Sequence, residues 1–83
     1  MKLIVKYFAS IREAIGQGSE PVQTSAATLG ALRDELIARG GTHAQALARG
    51  KAVRAAVNQV MGEETAALSD GCEVAFFPPV TGG

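Results

Sequence analysis

Only one stretch of this chain has the length and spacing of a substantial helix, and strand-like runs lie on both sides of it. Thr28 is a suitable N-cap, and Leu29, Leu32, Leu36 and Ile37 then recur at helical intervals. Arg33, Asp34, Glu35 and Arg39 fall elsewhere on the wheel, and Gly40-Gly41 ends the segment. A chain with one such helix has one apolar stripe to bury, and a sheet face is the surface that can cover it. The expected class is therefore α+β, one sheet with the helix packed on a single face. At 83 residues the chain has length for one small domain, taken here as residues 1–83. Area scaling makes a core of this size marginal, but 47% apolar residues supply enough material for it. A deep enzyme cleft is not expected.

The remaining elements follow from alternation and turn chemistry. Residues 2–8 read as a strand, with Leu3, Val5 and Tyr7 on one face and Ile4, Lys6 and Phe8 on the other. Ser10 is the candidate cap of a short helix, IREAI, that stops before Gly16. Residues 20–24 make a second strand, and Pro21 confines it to a sheet edge or a strand start. Thr42 is the candidate cap of another short helix, HAQALAR. Residues 52–57 alternate, with Val53, Ala55 and Val57 on one side, and Asn58-Gln59 turns the chain into a brief strand at Val60-Met61. A partly polar loop ends in the turn signal Ser69-Asp70-Gly71, and residues 73–77, EVAFF, form the last strand before Pro78-Pro79.

Composition excludes several roles. Lys+Arg and Asp+Glu are both 8, which argues against nucleic acid as the main partner, since phosphate binding calls for a basic excess. The single cysteine allows no internal disulfide and fits a reducing, cytoplasmic compartment. No apolar run approaches the roughly 20 residues of a membrane span. The N-terminal MKLIVKYFASIRE becomes charged too soon for a signal peptide. Inside the domain there is little chemistry. His43, the only histidine, reads as a surface residue with no second metal ligand in sight. Cys72 reads as a small packing residue and Glu63-Glu64 as solvated charge. Gly16-Gln17-Gly18 lacks the parts of a phosphate loop. Neither a cofactor site nor a metal site is expected.

Any chemistry must then lie at the end, Phe76-Phe77-Pro78-Pro79-Val80-Thr81-Gly82-Gly83. An apolar strand gives way to a stiff Pro-Pro step, then two residues without side chains. Glycine lets backbone pass where no side chain fits, so residues 78–83 read as an extended, flexible tail suited to another protein's active site. Frayed ends are the ordinary alternative, though seldom preceded by so apolar and stiff a stretch. In the last strand Val74 and Phe76 face one side, Ala75 and Phe77 the other. If Phe76 enters the core, Phe77 stands outside, beside Phe8 and the root of the tail. That pair is either an exposed partner site or ordinary packing of Phe77 over a sheet edge.

Three stretches carry a resemblance: residues 7–13 (YFASIRE), residues 55–59 (AAVNQ) and, most specifically, residues 68–71 (LSDG) through 73–83 (EVAFFPPVTGG). With length and element order along the whole chain, they resemble the small, sulfur-carrying subunit of molybdopterin synthase, a ubiquitin-like β-grasp family. Cys72 stands where relatives more often have an acidic residue, and residues 40–51 and 62–67 match no part of the pattern. The resemblance implies a non-catalytic subunit. An adenylyltransferase resembling the ubiquitin-activating enzyme would use ATP to adenylate Gly83, and a sulfur donor would replace AMP to leave a thiocarboxylate. The tail would then enter the large subunit of a heterotetrameric synthase and donate sulfur to cyclic pyranopterin monophosphate, forming the molybdopterin dithiolene. It also implies tail threading by Val80, Thr81 and Gly82, and partner contacts by Phe8, Arg12, Met61, Phe77, Pro78 and Pro79. The alternatives are a carrier for thiazole or cysteine synthesis, a ubiquitin-like modifier joined to lysines, and a β-grasp binding module with an inert tail.

Overall fold

The computed structural model describes residues 1–79. Eight elements follow in order: β1 (Lys2–Tyr7), α1 (Ala9–Ile15), β2 (Ser19–Gln23), α2 (Leu29–Ile37), α3 (Gly41–Leu47), β3 (Arg54–Val57), β4 (Val60–Gly62) and β5 (Glu73–Phe77). The strands form one mixed sheet in the order β2-β1-β5-β3-β4. The first and last strands lie side by side and parallel, Tyr7 opposite Phe76, while β1–β2, β3–β4 and β3–β5 are antiparallel. As expected of its proline, β2 is an edge strand, with Pro21 opposite Ile4.

Alternation sorts the two faces. Leu3, Val5 and Tyr7 of β1 and Val74 and Phe76 of β5 enter the core, where they meet Leu29, Leu32 and Leu36 of α2 and Leu47 of α3. Tyr7 and Phe76 stack with ring centroids 6.3 Å apart. Each such fully buried side chain contributes about 1.5–3 kcal/mol of transfer free energy. Cys72 is buried among them, a packing residue as its lone position suggests.

The helix starts show where sequence reasoning misplaced the caps. Thr28 does cap α2: its Oγ1 accepts from Ala31 N at 3.2 Å. The loop after β4 satisfies two more N–H groups, Leu29 N donating to Ala66 O and Gly30 N to Glu64 O. Ser10, by contrast, caps nothing. The N-cap of α1 is Phe8, whose carbonyl accepts from Ile11 N and Arg12 N while its own N–H donates to Phe76 O. Thr42 is not a cap either, because α3 begins earlier, with Gly40 at its N-cap. Gly40 and Gly41 have φ of 75° and 56°, so the two glycines reverse the chain and open α3 instead of merely ending α2. The strand expected from residue 52 begins at Arg54. Asn58 and Gln59 make the β3–β4 turn with φ of 49° and 69°, the left-handed values that a two-residue primed turn requires. Gly62 is where β4 passes close under α2: a Cβ there would lie 2.9 Å from Leu29 Cδ1 and 3.2 Å from Ala66 Cβ.

Candidate functional site at the end of the sheet

The helices cover one face of the sheet, and the other face carries the expected partner residues. Along β5, Ala75 and Phe77 point outward, and Ala75 lies between Lys6 on β1 and Ala56 on β3. Ala56 in turn faces Met61 on β4. The middle of this face is therefore low and nearly flat, with larger apolar side chains standing around it. Met61 is 57% exposed and Phe8 46%. Lys6 and Glu73 form the ion pair on the β1 side, at 3.1 Å.

Phe8 prolongs β1 past Tyr7, its N–H bonded to Phe76 O at 3.1 Å, so its backbone runs beside Phe77. Phe77 is half-buried and opposite Arg54, while Phe76, one residue earlier, is 1% exposed. Packing of Phe77 over a sheet edge does not occur, since β5 lies in the interior of the sheet between β1 and β3. Pro78 and Pro79, both half-buried, continue from this point. Pro78 covers a small cavity of about 120 Å³ lined by Ser10, Ile11 and Ala14 of α1, Ala46 of α3, and residues 51–53. Arg12 is exposed on α1 and its guanidinium lies over Gly18, where a Cβ would be 3.2 Å from Nε and 3.3 Å from Cζ. Phe8, Phe77, Pro78 and Pro79 are thus brought together. Met61 stands across the flat floor of Ala75 and Ala56, and Arg12 one helical turn beyond Phe8. Val80, Thr81, Gly82 and Gly83 lie outside the described residues.

Two polar clusters fix the elements behind this face, and sequence reasoning missed both. His43 is not a surface residue. It is half-buried, with Nε2 2.8 Å from Glu20 Oε2 and its ring edge-on to Tyr7. Tyr7 Oη donates to the same Glu20 oxygen at 2.7 Å, and Arg39 Nη1 donates to Oε1 at 2.9 Å. Burial alone would raise the Glu20 carboxyl. The hydrogen bonds from Tyr7, His43 and Arg39, with the Arg39 charge, outweigh it and hold the group down at about 2. The Tyr7 hydroxyl is pushed well up, by burial first and then by Glu20. The second cluster centres on Arg33, which is buried despite its place among charged neighbours. Its Nε and Nη2 donate to the carbonyls of Leu47 and Ala48 at 2.8 Å, and Nη2 also to Lys51 O at 3.3 Å. Those carbonyls close α3, so Arg33 acts as a C-terminal cap supplied from another helix. Burial and the neighbouring Arg49 lower its tendency to hold a proton. A lone histidine and one arginine among four charged residues carry no local signal, because their partners lie 14 to 23 residues away.

The chain is similar to known proteins over nearly its whole length. The ThiS family model matches residues 5–83. The molybdopterin synthase sulfur carrier subunit of Escherichia coli (strain K12) is 46% identical over 79 residues, covering 95% of this chain and 96% of that protein. The subunit of the same name from Haemophilus influenzae is 42% identical over 81 residues, covering 98% and 99%. The crystal structure of SAMP1 from Haloferax volcanii superposes with a TM-score of 0.78 at 27% identity, over all of both chains. Among the described residues no helix is long and apolar enough to cross a membrane.

Proposed function

Because the chain belongs to the ThiS family and shares 42–46% identity with molybdopterin synthase sulfur carrier subunits over nearly its full length, we propose that it carries sulfur on Gly83 for dithiolene formation. The observation that carries this reading is the outward-facing Phe77 on an interior strand, directly followed by Pro78-Pro79 and then by Val80, Thr81, Gly82 and Gly83. A flat apolar face with the tail leaving from its margin suits a domain that docks on a partner and extends its end into that partner's pocket.

The chemistry then divides between proteins. A carboxylate is a poor acyl donor because its leaving group would be oxide. Transfer of AMP from ATP to the Gly83 carboxylate, with loss of pyrophosphate, supplies a good leaving group. Attack by hydrosulfide-level sulfur on the carbonyl carbon forms the C–S bond, breaks the C–O bond to AMP and leaves the thiocarboxylate; a persulfide donor gives an acyl disulfide instead, which a second thiol must reduce to release the same group. That group is ionised at neutral pH and is a soft nucleophile toward the pterin precursor. ATP and the catalytic side chains belong to the adenylating partner and the large synthase subunit. This chain supplies the acyl group and, through Phe8, Arg12, Met61, Phe77, Pro78 and Pro79, the docking surface. The cytoplasm, where ATP and reduced sulfur donors coexist, is the compartment this requires.

Intact-mass measurement of the protein purified from its host tests the reading. A fraction heavier by the difference between one sulfur and one oxygen, located on the C-terminal peptide, is expected. Removal of Gly82 and Gly83 should abolish both that fraction and dithiolene formation, with circular dichroism and melting unchanged. A truncated protein that still supports dithiolene formation refutes the carrier role. The likeness to SAMP1, a small archaeal modifier protein, keeps a second reading in view, and isopeptide-linked conjugates on lysines of other proteins would establish it.

A further inference from the structure

Charge is divided unevenly over the surface. Away from the tail most cations are committed: Arg39 and His43 to Glu20, Arg49 to Asp34 and Glu64, Lys6 to Glu73, and Arg33 to the carbonyls of Leu47, Ala48 and Lys51, with Lys2 at the far end of β1 the exception. At the end of the sheet where β1 and β5 finish and β3 starts, Arg12, Lys51 and Arg54 pair with no carboxylate among the described residues. Arg54 is the register partner of Phe77, and its neighbour Ala55 packs on the core, so Arg54 stands on the outer face beside Phe77. Lys51 shares the small cavity with Pro78. Arg12 lies over Gly18, whose carbonyl accepts from Tyr7 N on the far side of β1. The acidic neighbours are Glu13, next to Arg12, and Glu63 and Glu64, in a groove with Arg54; Glu13 and Glu63 close no ion pair among the described residues, and Glu64 pairs with Arg49.

Read across the strands, the order is Arg12 over Gly18, Phe8 on β1, Phe77 on β5, Arg54 on β3, with Lys51 behind Pro78. The row spans three interstrand steps, about 14 Å. Two aromatic rings sit at its centre and a cation at each end, and the tail leaves from the middle. We infer that this row is the docking line for a protein whose tail-accepting pocket is bordered on both sides by carboxylates, and that the three cations set the rate at which the tail finds that pocket. Exposed charges flanking a contact act mainly on encounter, while the buried aromatic centre holds the complex. A nucleic acid is the less favoured occupant, because the chain as a whole has no excess of basic residues. The inference rests on the carrier reading, in which the occupant is the large synthase subunit.

Stopped-flow association of the unsulfurated protein with the large synthase subunit, from low to high ionic strength, tests it. The wild type should associate more slowly as salt rises. Lys51→Gln/Arg54→Gln should associate about tenfold more slowly at low salt, with a shallower salt dependence, and dissociate at nearly the wild-type rate. Arg54→Lys, which keeps the charge, should follow the wild type and shows that the position tolerates change. If the double variant matches the wild type at every ionic strength, or slows only dissociation, the inference is wrong and the carrier reading stands. If the wild type does not bind the large subunit, both fall. Equal, charge-dependent binding to duplex DNA would also overturn the assignment to a protein partner.

Discussion

Replacing Phe76 and Phe77 by alanine, one at a time, should produce opposite losses from adjacent residues. The Phe76 ring is 1% exposed and stacks on Tyr7 within the core. Its removal leaves a cavity and costs about 3–5 kcal/mol, part of it the lost aromatic pair. A domain of this length has a total stability of roughly 4–12 kcal/mol, so the variant loses between about a quarter and all of it. Its melting midpoint should fall by roughly 12 °C or more, at about 4–8 °C per kcal/mol. The Phe77 ring is on the other face and half-buried against its neighbours, so its loss should cost about 1 kcal/mol of stability. Its effect belongs to binding: an aromatic at the centre of an interface contributes about 2 kcal/mol or more, roughly thirtyfold in Kd. Calorimetric titration against the large subunit and urea melts of both variants measure the two losses. A Phe77→Ala protein that unfolds, paired with a Phe76→Ala protein that does not, would mean that the assignment of the sheet faces is inverted.

Three further outcomes follow from the polar clusters and the core. Glu20 is held at about 2 against an ordinary 4.5, so it stabilises the fold fully above pH 4.5 and loses that contribution as pH falls toward 2. The linkage amounts to about 3 kcal/mol at most, and Glu20→Gln should flatten the acid limb of a stability-versus-pH curve measured by urea melts. Arg33→Met removes the donors to three carbonyls around the end of α3 and should cost about 3 kcal/mol, with hydrogen exchange accelerated first in residues 41–51. Cys72→Ala should lower stability by about 1 kcal/mol and leave sulfur loading of Gly83 intact by mass, since the cysteine is buried in the core; loss of loading would place the sulfur chemistry on the wrong atom.

The elements were legible wherever the signal is local. Periodicity located α2, alternation put Leu3, Val5 and Tyr7 on one face of their strand and Val74 and Phe76 on one face of theirs, Pro21 marked an edge or a strand start, and Asn58-Gln59 marked a turn. The sequence lost definition where the cause is distant. The sequence of a short helix does not reveal that the Phe8 carbonyl would do the work assigned to Ser10, because the geometry of that carbonyl is set by a bond from Phe8 N to Phe76 O. Arg33 and His43 look like any solvated polar residues until α3 folds across α2 and β2. Adjacency of β1 and β5, on which the candidate site depends, is likewise a pairing of residues about 70 positions apart. The alternation argument needed only which face Phe77 takes, so it held without knowing the strand's neighbours.

That adjacency has a mechanical side. The tail is the point at which a partner would grip the domain, and a pull on it is borne by β5 along its own axis. Because β5 runs parallel to β1 and is also bonded to β3, the load is shared by all the ladder bonds on both sides at once. They must slide together, not peel apart singly as in a hairpin pulled from its open end. Tension that would strip an edge strand therefore leaves this one seated, and the end of the chain can be drawn from a deep pocket without dragging the fold open behind it.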